Sequence, residues 1–517
     1  MAELTGPAAD ERPYPPGDYP VVVIGSGPGG LQAAYSLGRL GIRHAAISAD
    51  PAPGGMFRRW PFFQRLLSWT KPHAPAARGS RAYERYDWNS LLGDDPSTRA
   101  IQPEFMDGTS YFPSRPEMEG NLSAFAERAG ITFRYDCRWT STRLDEGAGG
   151  RWFVVETTDG TYRAEALIVA VGVAEPYTPP GPAREHARHY ADIQPAETYA
   201  GKRVFIIGKQ NSGFELATGL LPWARRIIVA SPSPTKLSVN TRSLVGVRAR
   251  YVQPIEDHVL GGGVAVLDAA IQGIERLPGG PLEVRARPTA GGDELAFEVD
   301  AVIAATGFVA PLLDLPDLGV STFGQSRLPA QTPYWESASV PGIYFAGTIS
   351  QGAGGLKKHG QPANSGAVHG ARYNARLLAR HIAATRFSAP AALVRPRVAP
   401  DELMDTLVKH LSFSPELWHQ RAYLARIISL DPTDGPRDEG LVPLEAFVDA
   451  GGDDGAGDAV ALTLEADGTG AIYPVVYVRR DGKLEEHMFE PDILLRYDTP
   501  EVRRRLAEIV ASGVTAG

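Results

Sequence analysis

Two stretches of this chain share one design, and together they constrain the fold more than any other feature. The first, from Val21 to Ile47, reads "VVVIGSGPGGLQAAYSLGRLGIRHAAI". Val21–Ile24 is an apolar run of the kind that makes a buried strand, and Gly25, Gly27 and Gly30 follow it at Gly-x-Gly-x-x-Gly spacing. The apolar periodicity then predicts a helix over Leu31–Leu40, stopped by Gly41, and a second strand starting at His44. In such a unit the first glycine makes a tight turn, the second lets a pyrophosphate approach the backbone, and the third lets helix pack on strand. The string alone is a weak signal. Between a buried strand and an amphipathic helix, within about 30 residues, it is a strong one.

The second stretch, Val204–Glu215, reads "VFIIGKQNSGFE". Gly208 and Gly213 keep the outer positions, but Gln210 stands where the middle glycine belongs. A side chain there holds a nucleotide slightly farther out, and its amide can donate to a phosphate oxygen. The site is altered and not decayed, because the strands that complete such a sheet are present. "EALIVAVGVAEPYTPPG" (Glu165–Gly181) and "DAVIAATGFVAP" (Asp300–Pro311) are apolar strands ending in the small-residue turns Ala170-Val171-Gly172 and Ala305-Thr306-Gly307. A third, Ser339–Ser350, ends in Ala346-Gly347.

This order predicts an α/β protein with two Rossmann-like dinucleotide-binding domains, the second inserted in the first. The expected division is a flexible leader at 1–17, a first domain at 18–195 and 325–389, a second at 196–324, and a small α+β extension at 390–517. Within the extension, Asp401–Leu430 reads as helical, "VALTLEADGTGAIYPVVYVRRDGKLEEHMFEP" as three strands joined by Asp-Gly turns, and Pro500–Ser512 as a final helix. The segment from about Ser365 to Ala383 reads as a helix whose positive end suits an electron-rich ring carbonyl.

Composition excludes several classes. A net charge of -8 over 517 residues, without a Lys/Arg block, argues against a nucleic-acid partner. No uncharged apolar run reaches the roughly 18–20 residues that span a bilayer. The polar, Pro-rich leader lacks the basic-then-apolar order of a signal peptide. A cytoplasmic location with no membrane partner is therefore expected, with homo-oligomerisation left open. The sequence has one cysteine, Cys137, so no mechanism can pass electrons through a dithiol within these residues. Cys137 itself, in "ITFRYDCRW", reads first as a structural thiol. No His/Cys spacing points to a metal.

At the end of the second strand, where a ribose-binding acid normally stands, the chain has Ser48, with Asp50 two residues on. Either Ser48 bonds the ribose, or Asp50 reaches back, or Asp50 only begins the "DPAPGG" turn. In the second unit no acid ends the corresponding strand; Ser231, Ser233 and Lys236 occupy the region, with Arg225, Arg226 and Arg242 nearby. The absence of a repelling carboxylate favours a 2′-phosphate, hence NADPH. Arg225 and Arg226 equally read as a solvated helix end.

The two interleaved units resemble the two-dinucleotide-binding-domain flavoproteins, and within them class B flavin monooxygenases, including the flavin-containing and N-hydroxylating enzymes. "GGMFRRWPFFQRLLSWTK", "RYDWNSLL", "YFPSRPEM", "FAGTIS" and "VHGARYNARLLARHI" further resemble the FAD-dependent oxidoreductase-domain proteins, over roughly residues 18–385. The resemblance implies FAD in the first domain, held by Gly25, Gly27, Pro28, Gly30, Ser48, Asp50, Gly55, Met56, Arg58, Trp88, Cys137, Arg138, Gly172, Gly347 and Asn364. It implies NADPH in the second, held by Gly208, Gln210, Asn211, Ser212, Ser231, Lys236, Arg242, Thr306 and Gly307. It also implies that NADPH reduces FAD, that O2 is captured as a C4a-(hydro)peroxyflavin, and that oxygen passes to a small nucleophile.

In flavin-containing monooxygenases an Asn-Ser pair faces the flavin, and the matching pair here is Asn89-Ser90; Asn89 otherwise reads as the cap of a helix starting at Ser90. The Baeyer–Villiger fingerprint is only partly met. His186 and Tyr190 keep its spacing, but Gly181 is one residue too far away and the Phe is missing. Basic and polar residues cluster in "GAGGLKKHGQPANSG" (Lys357, Lys358, His359, Gln361, Asn364), with Arg58, Arg59, Lys71 and His73 earlier. They suggest a polar or anionic substrate, and Lys71 joins Asn89 and Ser90 as a candidate catalytic residue. The expected reaction is N-hydroxylation of a small polar amine or amino acid, aspartate being the acidic case. The alternatives are electron transfer from NAD(P)H to a quinone or protein acceptor, S- or Baeyer–Villiger oxygenation, and an FAD-bound interaction module.

Overall fold

The computed structural model describes residues 11–59, 65–147, 150–181, 183–235, 253–356, 358, 363–431, 433–450, 457–492 and 494–511. The chain divides into two compact units. Unit 1 is Met1–Gly55, Trp69–Gly172 and Leu312–Gly517; unit 2 is Met56–Ser68 and Val173–Pro311. No helix among the described residues is long and apolar enough to cross a membrane.

In unit 1, β1 (Asp18–Ile24) leads through a turn into α1 (Pro28–Arg39) and then β2 (His44–Ile47). Strands β1 and β2 are parallel, with Val21 opposite His44 and Ile24 opposite Ile47. After α2 (Arg115–Arg128), β3 (Trp139–Gly147), β4 (Gly150–Thr157) and β5 (Gly160–Val169) form an antiparallel meander. The carboxyl half of β5 runs parallel to β1, ending with Val169 opposite Ile24. Strand Ile343–Phe345 adds on its other side, Phe345 opposite Val169. Four parallel strands therefore end level, so the residues that follow them (Gly25, Ser48, Ala170 and Ala346) share one sheet edge. Val21, Val22, Val23, Leu167, Ile168 and Val169 are fully buried, as expected of the parallel strands at the centre of a covered sheet. Helix Val368–Thr385 packs along α1.

The C-terminal residues fall in unit 1. Helices Leu403–Phe413 and Pro415–His419 precede a five-stranded antiparallel sheet. Three of its strands, Ala459–Ala466, Ile472–Arg480 and Lys483–Met488, lie where the Asp-Gly turns predict them. Asp481 and Gly482 both take positive φ, 44° and 72°, which a two-residue hairpin of this twist requires. The expected helix over Asp401–Leu430 is wrong in its second half: Leu424–Asp431 is a strand, hydrogen-bonded on one side to Gly435–Pro443 and on the other to Ala459–Ala466. The β-branched pair Ile427-Ile428 prefers that pleated environment, and its two neighbouring strands satisfy the backbone on both edges.

Unit 2 carries a seven-stranded sheet. Strands Arg203–Ile207, Arg226–Ser231, the first half of Val264–Arg276 and Ala301–Ala304 are parallel. The second half of Val264–Arg276 continues into an antiparallel extension with Leu282–Pro288 and Leu295–Val299. Helix Asn211–Leu220 follows the first strand and buries Phe214, Leu216, Ala217 and Leu220.

Candidate cofactor sites

The first turn has the geometry its glycines predict. Gly25 takes φ +108°, and a Cβ there would lie 2.6 Å from the Ala170 carbonyl oxygen. A Cβ on Gly30 would lie 1.7 Å from the Gly25 oxygen, so only glycine allows α1 to seat on β1. Gly27 is the N-cap of α1, with Pro28 next in the chain, and nothing lies within 4 Å of a Cβ built on it. No side chain caps α1 and no acid occupies its first turn. Its leading N–H groups are thus presented to an anion, where the positive end of the helix dipole favours negative charge. Gly29, which the motif does not require to be glycine, is as constrained as the others: its Cβ would stand 2.4 Å from Gly347 N. This brings the start of the short helix Gly347–Gly352 against the start of α1. Gly55 closes in as well, since a Cβ on it would meet Gly27 Cα at 3.1 Å.

Ser48 and Asp50 sit beside this turn. Ser26 Oγ and Ser48 Oγ are 2.8 Å apart, Asp50 N donates to Ser48 Oγ at 3.1 Å, and all three residues are buried. Cys137 N donates to Ser48 O at 2.9 Å, so the thiol-bearing residue braces Ser48 through its backbone. Its side chain is fully buried, and burial raises the thiol pKa. Arg138, next in the chain, is exposed and its N–H donates to Thr158 Oγ1. Gly172 ends the β5 turn with φ +70°. Met56, half-buried, and Arg58, exposed, fall in unit 2, whereas Gly55 falls in unit 1.

The Asn89-Ser90 loop is buried and held from several directions. Asp87 Oδ1 accepts from Asn89 N and Ser90 N, each at 3.1 Å, and from Thr70 Oγ1 at 2.9 Å. Asn89 Nδ2 donates to Thr70 Oγ1, and Asn121 Nδ2 donates to Asn89 O. Two cofactor-side helices clamp the same loop. Gln32 of α1 exchanges two 2.9 Å hydrogen bonds with the Leu92 backbone, and Arg372 donates to the carbonyls of Glu84, Asp87 and Ser90. No helix starts at Ser90, so the capping role for Asn89 is ruled out. Ser90 Oγ instead accepts from Gln102 N at 2.8 Å. Lys71 is exposed; its backbone, not its side chain, is pinned to Tyr86 and Tyr83.

Trp88 packs against His369, 4.9 Å between ring centroids, and against Trp418 and His419 of the C-terminal region. His419 Nε2 lies 2.9 Å from Glu84 O. Burial, followed by the Arg372 and Arg421 charges, pushes the His369 pKa down to about 3; burial and then His369 hold His419 well below its ordinary value. Gln420 reaches the start of helix Val368–Thr385, where Ser365 Oγ lies 3.4 Å from its Oε1. Asn364, half-buried, stands at the same helix start. Of the basic segment that suggested an anionic substrate, Lys358 is ion-paired to Glu465 and Glu486 of the C-terminal sheet, so its charge is already committed. Lys357, His359 and Gln361 lie outside the described residues.

The second turn repeats the first. A Cβ on Gly208 (φ +121°) would lie 2.3 Å from Ala305 O, and one on Gly213 would lie 2.0 Å from Gly208 O. Gln210 is the N-cap of helix Asn211–Leu220 at φ -114°, a conformation open to any residue; its side chain makes no cap bond. Gln210 and Asn211 are exposed and Ser212 half-buried. Lys209 is turned inward and ion-paired with Asp268, which stands opposite Ser231 in the sheet. Thr306 Oγ1 donates to Tyr177 O at 2.6 Å, and Gly307 O accepts from Tyr177 N at 3.0 Å. Lys236 and Arg242 lie outside the described residues. Arg225 and Arg226 stand at the wrong end for the 2′-phosphate: Arg226 begins the strand whose carboxyl end is Ser231, about 16 Å away at 3.3 Å per residue, Arg225 precedes it, and both are exposed.

Gln32, Asp87, Arg372, Gly29, Lys209 and the Trp418–Gln420 segment escape a reading by motif. Gly29 alone leaves a clear trace, as the extra glycine of "GPGG".

Level strand ends, two glycine cradles and two uncapped helix starts fit dinucleotides, and they define a flavin-dependent oxidoreductase that uses FAD with NAD(P)H. The chain belongs to the pyridine nucleotide-disulphide oxidoreductase family, which matches it over residues 22–347. It is 27% identical over 436 residues to FAD-dependent oxidoreductase domain-containing protein 2 of Mus musculus, covering 79% of this chain and 64% of that protein. It is 27% identical over 322 residues to a ferredoxin–NADP reductase of Saccharopolyspora erythraea, covering 59% of this chain and 78% of the relative. Among solved structures, a flavin-containing monooxygenase from Stenotrophomonas maltophilia matches with a TM-score of 0.50 at 22% identity, over 71% of this chain and 98% of that one. The last likeness is one of fold.

Proposed function

We propose that the chain is an NADPH-dependent flavin monooxygenase acting on a small polar amine or amino acid by N-hydroxylation. The observation that carries this reading is the buried Asn89-Ser90 loop, clamped by Gln32 of α1 and by Arg372 of helix Val368–Thr385. When bound and reduced by NADPH, FAD would supply the activation of O2. The chain contributes binding, orientation and dryness. The α1 start with Gly25, Gly27, Pro28 and Gly30 takes the pyrophosphate, Ser48 with Asp50 takes the ribose, and Gly347 with Asn364 flanks the ring. Asn89 presents a fixed amide that can hydrogen-bond an oxygen without acting as an acid. The aromatic wall of Trp88, His369 and Trp418 excludes water, which protects a reactive oxygen species from hydrolysis.

Preference for NADPH is supported by Ser231 at the strand end, where an acid would select NADH, and by the pairing of Asp268 with Lys209. With Lys358 committed, the anionic-substrate expectation rests on the exposed Arg58, Arg59, Lys71 and His73 and on residues outside the described set. Aspartate is therefore one amine among those to be screened.

A second reading is electron transfer from NAD(P)H to a protein or quinone acceptor, favoured by the similarity to a ferredoxin–NADP reductase. The single cysteine leaves no dithiol to carry electrons within the chain.

Rapid mixing of the NADPH-reduced holoprotein with O2 separates the two. The monooxygenase reading expects a long-lived species spectrally distinct from oxidised and reduced flavin, and NADPH consumption matched by a hydroxylated amine. Immediate reoxidation, with fast reduction of a quinone or ferredoxin, would establish the second reading. Product from ketones alone would eliminate N-hydroxylation.

A further inference from the structure

Unit 1 contains a cavity of about 570 Å³ that the cofactor sites do not use. It opens between the carboxyl end of α1, helix Val368–Thr385 and helix Leu403–Phe413. Ser36, Arg39 and Leu40 line it, and the Gly27 cradle is at the other end of α1, about 16 Å away at 1.5 Å per residue. The volume lies within the ordinary range for small-molecule sites.

The lining has two characters. Leu40, Leu92, Leu377, Phe413 and Leu441 supply an apolar body. Around them stand six cations (Arg39, Arg81, Arg376, Arg380, Lys409 and Arg426) against two carboxylates, Asp94 and Glu416. This excess occurs in a chain whose net charge is -8. Part of it is neutralised. Asp94 serves both Arg39 and Arg376, Arg81 pairs with Glu416 and Glu84, and Arg426 pairs with Asp438. The rest is not. Among the described residues Arg380 donates to the carbonyls of Ala392 and Val394 and forms no ion pair, Lys409 has no ion pair, and Arg426, although paired with Asp438, keeps a buried Nε without a hydrogen-bond partner. His410 stands beside Ser414, 3.1 Å from Nδ1 to Oγ, and is kept neutral by burial. A hollow with a surplus of positive charge concentrates anions, and one with apolar walls selects those carrying a hydrocarbon or aromatic body.

We propose that this cavity is a second ligand site, taking a small organic anion, a carboxylate or a phosphate ester, with an apolar body. Its anionic group meets Lys409, Arg380 and Arg426, and its body lies against Leu40, Leu377 and Phe413. The site is independent of the oxygenation reading above.

The test is calorimetric titration of the FAD-loaded full-length protein with four probes: octanoate, phenyl phosphate, inorganic phosphate and octylammonium. One-to-one binding of octanoate or phenyl phosphate is expected, and which of the two binds tighter tells a carboxylate site from a phosphate site. Inorganic phosphate and octylammonium should bind at least tenfold more weakly than the better organic anion. Lys409→Glu should weaken that binding about tenfold, the scale of one charge-assisted contact. Ala391→Trp at the rim should abolish it, and in both variants flavin content and the rate of flavin reduction by NADPH should be unchanged. The proposal is overturned if neither organic anion binds at millimolar concentration, if octylammonium or inorganic phosphate binds as tightly, or if both variants bind like the parent protein.

Discussion

Gly29 and Gly347 meet where two helix starts converge: a methyl built on Gly29 would stand 2.4 Å from Gly347 N and 2.6 Å from Gly347 Cα. The first belongs to α1 and the second to the short helix after the last strand of the sheet, so the contact fixes how these two helix starts approach each other. Gly27, two residues before Gly29, is the opposite case, with empty space where its side chain would be. The pair separates folding from binding. Gly29→Ala should cost about 3 kcal/mol of stability, the upper range for overpacking against backbone, and lower the Tm of apo- and holoprotein alike. Gly27→Ala, at φ -73°, should leave the apoprotein Tm unchanged but lower the affinity for FAD at least tenfold. Flavin absorbance per chain and thermal melts with and without FAD check both. Equal FAD affinity in Gly27→Ala and the parent would show that no pyrophosphate lies on that turn.

Asp87 is the keystone of the Asn89-Ser90 loop, since one carboxylate oxygen accepts three hydrogen bonds there. Replacing it by Ala strands buried donors, and each unpaired donor costs about 1–3 kcal/mol. Asp87→Ala should therefore lower stability by about 3 kcal/mol in urea unfolding. Under the monooxygenase reading it should also raise the fraction of NADPH oxidised without hydroxylated product. Coupling unchanged in a variant that still folds and binds FAD would remove this loop from the reaction.

The buried histidine pair makes stability depend on pH. His369 titrates at about 3 in the folded protein against about 6.5 when unfolded, because burial disfavours its charged form. Below about pH 6.5 the unfolded chain takes up a proton that the folded chain refuses. The stabilisation is therefore complete above pH 6.5 and is lost as pH falls toward 3, at about 1.4 kcal/mol per pH unit. His419, also held low by burial, acts in the same direction. His369→Phe keeps a ring against Trp88 and should flatten the slope of unfolding free energy between pH 4 and 6 by about 1.4 kcal/mol per unit. An unaltered slope would mean that His369 is not buried neutral.

The parts of the fold set by local chemistry could be read directly. Gly25 and Gly30 advertise a turn that only glycine can make, the small residues after Val169 and Ala304 mark strands that must end beside a ligand, and Asp481-Gly482 announces a two-residue hairpin. What could not be read depends on distant partners. Leu424–Asp431 carries a pattern that suits a helix until two strands flank it. Arg225 and Arg226 looked like phosphate ligands because sequence proximity does not say at which end of a strand a residue stands. Lys358 looked like a substrate cation because its partners, Glu465 and Glu486, lie over 100 residues away. The support of the Asn89 loop was illegible for the same reason, as Gln32 and Arg372 reach it from helices some 60 and 280 residues distant.

Gln210 in the second turn gives the last prediction. The missing middle glycine suggested a side chain obstructing the pyrophosphate, but the backbone at Gln210 is extended, so a glycine is not needed there for conformational reasons. The exposed side chain makes no cap bond, and the first turn of helix Asn211–Leu220 carries no acid. Anion binding at that helix start thus depends on backbone N–H groups that any residue at 210 supplies. Gln210→Gly should cost only about 0.5–1 kcal/mol, through the greater freedom of the unfolded chain, and should leave the KM for NADPH unchanged or lower. Steady-state kinetics with NADPH, with urea unfolding of the same variant, decides the matter. A KM raised more than tenfold in a folded, FAD-loaded variant would make the Gln210 amide a ligand of the nucleotide, and the departure from three glycines would then be a gain of binding chemistry at that turn.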